Sequence, residues 1–217
     1  MLFRDRVDAG RRLGERLLQL GLRGEDALVL ALPRGGVPVA AEIAHLLQAP
    51  LDVFLVRKLR VPGHEELAMG AIASGGALVL NEDVIRALSV PAVAVDAAAR
   101  AEAAELARRE QLYRPGRGAL QVAGHSVILV DDGLATGSTM RAAALALREL
   151  RPATLTIAVP VSPVDTCADL ARVADRIECL ATPSPFYGVG QFYRDFRQIT
   201  DAEVLLLLAH GSLRHAA

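Results

Sequence analysis

Three stretches of the chain are apolar at successive positions with almost no polar interruption: ALVLALP (27–33), SVILVD (126–131) and TLTIAVPV (154–161). Side chains of a strand alternate between the two faces of a sheet, so an unbroken apolar run predicts a strand covered on both sides. LDVFLV (51–56) predicts a further strand. Between them the period changes to that of a helix. Leu13, Leu17, Leu18 and Leu20 mark an amphipathic helix from about Arg4 that stops at Gly21. VPVAAEIAHLL (37–47) is helical, with Pro38 tolerated in its first turn. NEDVIRAL opens on an Asn cap, the Ala-rich run 94–114 stops at Pro115-Gly116, and 137–150 forms another helix. Residues 57–70 are polar and contain Pro62-Gly63, which predicts a long loop; 71–80 predict a hairpin. Strands and helices in this alternation predict βαβ units, hence an α/β fold with a doubly wound parallel sheet. The predicted core covers about 22–161, and the texture changes after Pro160 into a C-terminal extension.

Composition narrows the picture. With 52% apolar residues, no Trp and 4% aromatics, the interior is built of Leu, Val, Ile and Ala. A formal net charge of -1 argues against a general nucleic-acid binder or an anionic-membrane binder. Cys167 and Cys179 form no CxxC and read as reduced core thiols. MLFRDRVDAG has no apolar signal core, and VLLLLA (204–209) is too short to span a bilayer, so a cytoplasmic protein is expected.

The chemistry concentrates in VILVDDGLATGSTM, residues 127–140. Ligands of a doubly wound sheet bind at the carboxyl ends of its strands, where this run places Asp131 and Asp132. Two carboxylates there can accept hydrogen bonds from neighbouring hydroxyls of a ribose. Gly133 turns the chain away. Thr136, Gly137, Ser138 and Thr139 then offer hydroxyls and free backbone N–H groups at a helix start, which favours a phosphate. A single Asp at a strand end is often only a turn former or cap; the combination is the informative feature. A Walker A loop is excluded, because GLATGST lacks the spacer and the lysine. YGVGQFY lacks the third glycine of a dinucleotide fingerprint. His64-Glu65-Glu66 is not a zinc HExxH motif, since Ala68 stands in the second histidine's place.

VILVDDGLATGST resembles the phosphoribosyl-diphosphate (PRPP) signature of the type I phosphoribosyltransferases. The element order fits their core, and the FRDR…AGRRLGERL and PFYGVGQFYRDFRQITDAEV segments resemble uncharacterised bacterial members. The resemblance implies one phosphoribosyltransferase-like domain with a small hood, about 162–217 together with the N-terminal helix. It implies displacement at C1 of PRPP by a nitrogen acceptor such as a nucleobase, with pyrophosphate released. Asp131 and Asp132 become the ribose-hydroxyl ligands, and Ala135, Thr136, Gly137, Ser138 and Thr139 the 5-phosphate loop. LPRGGVP becomes the pyrophosphate loop through Arg34, Gly35 and Gly36, with a non-proline cis peptide as a family feature. Arg57 and Lys58 are further cations for the diphosphate, and 60–70 match a mobile loop that closes over the substrate. Mg²⁺ would be held mainly by PRPP and water, with no protein cage.

Ala135 departs from the acid that many 6-oxopurine enzymes carry there, so LATG looks more like the adenine and uracil branches. Residues 181–200 hold three of the five Phe and two of the three Tyr. Phe186, Tyr187, Phe192 and Tyr193 are base-stacking candidates or, equally, packing of the hood or of a dimer. The resemblance also leaves open a regulatory protein that binds PRPP or a nucleotide without turnover. A homodimer is a reasonable expectation for an apolar α/β core.

Overall fold

The computed structural model describes residues 1–22, 24 and 26–213, with the side chains of 211–213 left aside. The end of the expected hood, 214–217, lies outside the described residues. A five-stranded parallel sheet has the order β2-β1-β6-β7-β8, formed by β1 (Ala27–Ala31), β2 (Leu51–Val53), β6 (Ser126–Val130), β7 (Thr154–Val161) and β8 (Arg176–Ala181). Helices cover both of its faces, so the doubly wound α/β fold stands. Side-chain alternation divides the core in two. Val29, Ala31, Ile128 and Val130 face α1 (Arg6–Gln19), α2 (Gly36–Leu47) and α7 (Asp201–Leu213) through Leu13, Ile43, Val204 and Leu208. Leu28, Leu30, Val127 and Leu129 face α5 (Ser138–Glu149) through Met140, Ala143, Ala144 and Leu147.

A second, antiparallel sheet orders β3 (Val56–Val61), β4 (His64–Ala73) and β5 (Leu78–Leu80) as β3-β4-β5. This corrects the long loop expected over 57–70. Pro62-Gly63, read as a loop signal, is the turn between β3 and β4, with Gly63 at φ 79°. The predicted 71–80 hairpin is the β4–β5 pair, joined by the short turn Ser74–Gly76. Leu59, Val61 and Met69 are buried beneath Val95 of α4 (Ala92–Tyr113), with Val84 and Ile85 of α3 (Glu82–Ala87) packed alongside. As expected, Asn81 caps α3, its side chain accepting from the Val84 N–H at 3.3 Å.

The expected boundary near residue 161 moves. After β7 the chain makes α6 (Val164–Leu170) and returns as β8, pairing Val159 with Cys179, so 162–181 belongs to the sheet layer. Both cysteines are free and half-buried, Cys167 on α6 and Cys179 on β8. Residues beyond Ala181 pack against the chain's start. Leu2 and Phe3 N–H donate to the Phe192 carbonyl at 2.8 and 2.9 Å, and Arg194 N–H returns a bond to the Phe3 carbonyl at 3.0 Å. Phe3, Ala9, Val161, Phe192 and Tyr193 form a small aromatic core there. No helix among the described residues is long and apolar enough to cross a membrane.

Candidate active site

Three loops meet at the carboxyl ends of β1 and β6. The first follows β1, where Pro33, Arg34, Gly35 and Gly36 turn into α2 and the Pro33–Arg34 peptide is cis. The second is the Asp131-Asp132 pair beyond β6. They touch: a Cβ on Gly35 would stand 2.2 Å from Asp132 Oδ2, and one on Gly36 would stand 2.7 Å from the Val130 carbonyl oxygen. Only glycine lets the backbone come this close. The third is the loop into α5. Gly137 caps this helix at φ 66°, with its Cα packed on Thr166, whose methyl would lie 2.6 Å from an added Cβ. Thr166 Oγ1 donates to the Ala135 carbonyl at 3.0 Å, fixing the loop from α6. Thr136, Ser138 and Thr139 are exposed and present their hydroxyls at the helix start. The first helical bond runs from Arg141 N–H to the Gly137 carbonyl at 2.8 Å, so the amides ahead of it have no acceptor within the helix. Lys58 reaches across from β3 and donates to Ser138 Oγ at 2.6 Å.

The predicted cations divide. Lys58 stands at the phosphate-type loop. Arg34 turns toward Asp201 at the start of α7, 3.7 Å away, and Arg57 pairs with Glu102 of α4 at 2.6 Å. Both side chains are therefore engaged by neighbouring helices. The aromatic candidates divide too. Phe192 and Tyr193 are buried and belong to the aromatic core, with Phe186 half-buried against Phe192 at 5.1 Å. Their rings are accounted for by packing. Tyr187 is 85% exposed.

Local pattern did not reveal Arg6, Thr166 or the use made of the Tyr193 hydroxyl. Arg6 sits on the buried stripe of α1 that continues through Ala9, Leu13 and Leu17, and an arginine on such a stripe was the available signal. Its Nε donates to Asp132 Oδ2 at 2.7 Å, and the Tyr193 hydroxyl donates to the Asp132 carbonyl at 2.6 Å. Thr166 and Tyr193 have no comparable signature.

The electrostatics follow from burial. Asp131 is held well above the ordinary carboxylate range, first by burial and then by the charge of Asp132, against the pull of the Asp132 N–H bond at 2.8 Å. Burial also raises Asp132, while Arg6 opposes the rise. A carboxyl that is harder to ionise when folded favours the fold at low pH, and that advantage disappears as pH rises through the raised value. Asp131→Asn, which keeps an acceptor for the Asp132 N–H, is therefore expected to raise the melting temperature near neutral pH. The expected gain is about 2–4 °C, the shift that about 1 kcal/mol gives in a chain of this length. The gain should shrink as pH falls and vanish below about pH 3, where the wild-type carboxyl is protonated in both states. Thermal melts at the two pH values check this, and an equal shift at both would contradict it.

A cavity of about 720 Å³ lies between the antiparallel sheet and α5, with Lys58 and Ser138 in its wall at the start of that helix. Among the described residues no three His, Cys, Asp or Glu side chains gather to hold a metal ion.

Comparison with known proteins gives this geometry a family. Residues 4–180 match the phosphoribosyl transferase domain, and the chain belongs to that family. It is 50% identical over 217 residues to "Putative phosphoribosyl transferase Rv0571c" of Mycobacterium tuberculosis H37Rv, covering 99% of this chain and 48% of that protein. The counterpart from strain CDC 1551, MT0597, matches to the same extent, so the chain spans about half the length of these curated relatives. The crystal structure of TT1426 from Thermus thermophilus is 40% identical and superposes with a TM-score of 0.88 over 97% of this chain and 99% of that one.

Proposed function

We propose that the chain transfers the phosphoribosyl group of PRPP to a nitrogen acceptor, a nucleobase or a similar flat heterocycle, with release of pyrophosphate. The observation that carries this reading is the contact of the glycine turn with the acid pair, beside a helix entrance that carries hydroxyls. Asp131 and Asp132 would accept from the ribose hydroxyls, and Thr136 to Thr139 would receive the 5-phosphate through hydroxyls and amides. The amides of the Gly35-Gly36 turn and the ammonium of Lys58 would face the leaving diphosphate. As the C1–oxygen bond breaks and the C1–nitrogen bond forms, the protein holds the sugar still and stabilises the departing charge; it supplies no nucleophile. Mg²⁺ would arrive on the diphosphate, held mainly by substrate oxygens and water beside Asp131 and Asp132, and would supply charge neutralisation there.

A second reading, binding of PRPP or a nucleotide without turnover, draws on the directions of Arg34 and Arg57. Arg34 pairs with Asp201 and Arg57 with Glu102, so a diphosphate would have to compete with these carboxylates for either guanidinium. One screen separates the two: pyrophosphate release from PRPP and Mg²⁺ against a panel of bases, alongside calorimetry. Turnover with one base is the expected result. Tight PRPP binding with no turnover on any base would favour the second reading, and no binding at all would remove both.

A further inference from the structure

The N-terminal helix sends one side chain into the site. Arg6 keeps only 8% of its side chain exposed, and each end of its guanidinium is used. Nε donates to Asp132 Oδ2 at 2.7 Å and Nη1 to the Arg197 carbonyl at 2.9 Å. Its Cζ lies 3.9 Å from the centre of the Phe196 ring, which packs on Tyr193 at 5.1 Å. Tyr193 in turn bonds the backbone of Asp132. Asp132 is thus gripped twice, at its carboxylate by α1 and at its carbonyl by the aromatic segment.

We propose that Arg6 is a positioning residue of the ribose site: it fixes the direction of the Asp132 carboxylate and sets a permanent cation against the acid pair. Two adjacent half-buried carboxylates repel, and a planar guanidinium is the cation that tolerates such a dry place while stacking on a ring. The other groups around the pair do not fill this role. Asp131 on β6 carries the same sign, and the buried Tyr193 hydroxyl is held neutral by burial and by Asp132. Arg34 on the glycine turn faces Asp201, and the Arg197 guanidinium pairs with Glu203. Arg6 opposes the rise that burial imposes on Asp132 and so favours its charged, accepting form; without it, protonation competes more strongly with the ligand.

The ligand half of this proposal rests on the phosphoribosyl reading, so the test has two arms. In the first, the Asp131 and Asp132 carboxyl carbons are followed by NMR through a pH titration of ligand-free wild type, Arg6→Lys and Arg6→Met. The Asp132 midpoint should move up in Arg6→Met, and move less in Arg6→Lys, which keeps the charge without the planar two-nitrogen fork. In the second, calorimetry measures PRPP with Mg²⁺ at one pH between the wild-type and Arg6→Met midpoints that the first arm measures for Asp132, and at one pH above both. Arg6→Met should lose at least tenfold in affinity at the lower pH and recover most of it at the higher; Arg6→Lys should lose less. Unmoved carboxyl midpoints, or an equal affinity loss at both pH values, would overturn the proposal. If wild type fails to bind PRPP, the proposed function falls while the first arm still decides the role of Arg6. Should Arg6→Met not fold, the Arg6→Lys titration decides alone.

Discussion

Replacing Asp131 and Asp132 together by asparagine is expected to weaken PRPP binding by at least tenfold, about 1.4 kcal/mol. Hydrogen bonds to an ionised acceptor contribute about 1.5–3 kcal/mol, roughly twice those of a neutral amide, and the substitution removes the charge from both acceptors. The Asp131→Asn change should by itself raise thermal stability near neutral pH, since burial makes ionisation of this acid costly, whereas Asp132→Asn leaves the buried Arg6 guanidinium without its carboxylate. For Asp131, lower affinity together with higher stability distinguishes a binding carboxylate from a structural one, which would lose stability when neutralised. The fold should survive, because the Asp131 oxygen that accepts from the Asp132 N–H has an amide counterpart. Calorimetry with PRPP and Mg²⁺ measures the first effect and a thermal melt the second. Unchanged affinity would withdraw the assignment of these carboxylates.

Gly35→Ala is expected to do comparable harm by another route. The added methyl would stand 2.2 Å from Asp132 Oδ2 and 2.7 Å from its Cγ, well inside van der Waals contact. Asp132 cannot withdraw freely, since Arg6 holds its carboxylate and Tyr193 its carbonyl. The glycine turn must therefore lift away, at about 1–3 kcal/mol of stability by analogy with overpacked interiors. PRPP affinity should fall by at least tenfold, because the amides proposed to face the diphosphate shift with the turn. Calorimetry and melting temperature read both quantities. If the variant binds PRPP like wild type, the close packing of the two loops is not what shapes the diphosphate end.

How much of this could be read from the chain depended on whether the information was local. β1, β6 and β7 were legible because both faces are covered and the code is a continuous apolar run. The acid pair and the phosphate-type loop were legible because strand, acids, turn and helix start follow one another within residues 127–140. The β3–β4 hairpin was not, since Arg57, Lys58 and Arg60 interrupt the apolar positions and register shifts at Arg60 break the alternation. β8 was missed for a similar reason: RIECLA is an edge strand of mixed character with no fully buried residue. α7 showed only as an apolar run. Residue types identified Arg34, Arg57, Phe192 and Tyr193 as candidates, but the direction of a side chain is decided by partners such as Asp201, Glu102 and Phe3, far away in the sequence. Arg6 lies 126 positions from Asp132, beyond any local pattern.

The pairing of residues 2–4 with residues 192–195 bears on how the protein comes into being. A nascent chain that has left the ribosome as far as Val161 already carries the glycine turn, the two acids and the hydroxyl-rich helix start. Its first helix still has no aromatic segment to dock on, and Arg6 has neither the Arg197 carbonyl nor the Phe196 ring to hold it in place. The grip of Arg6 on the acid pair is thus completed only after the segment around Tyr193 has emerged and folded back on residues 2–6.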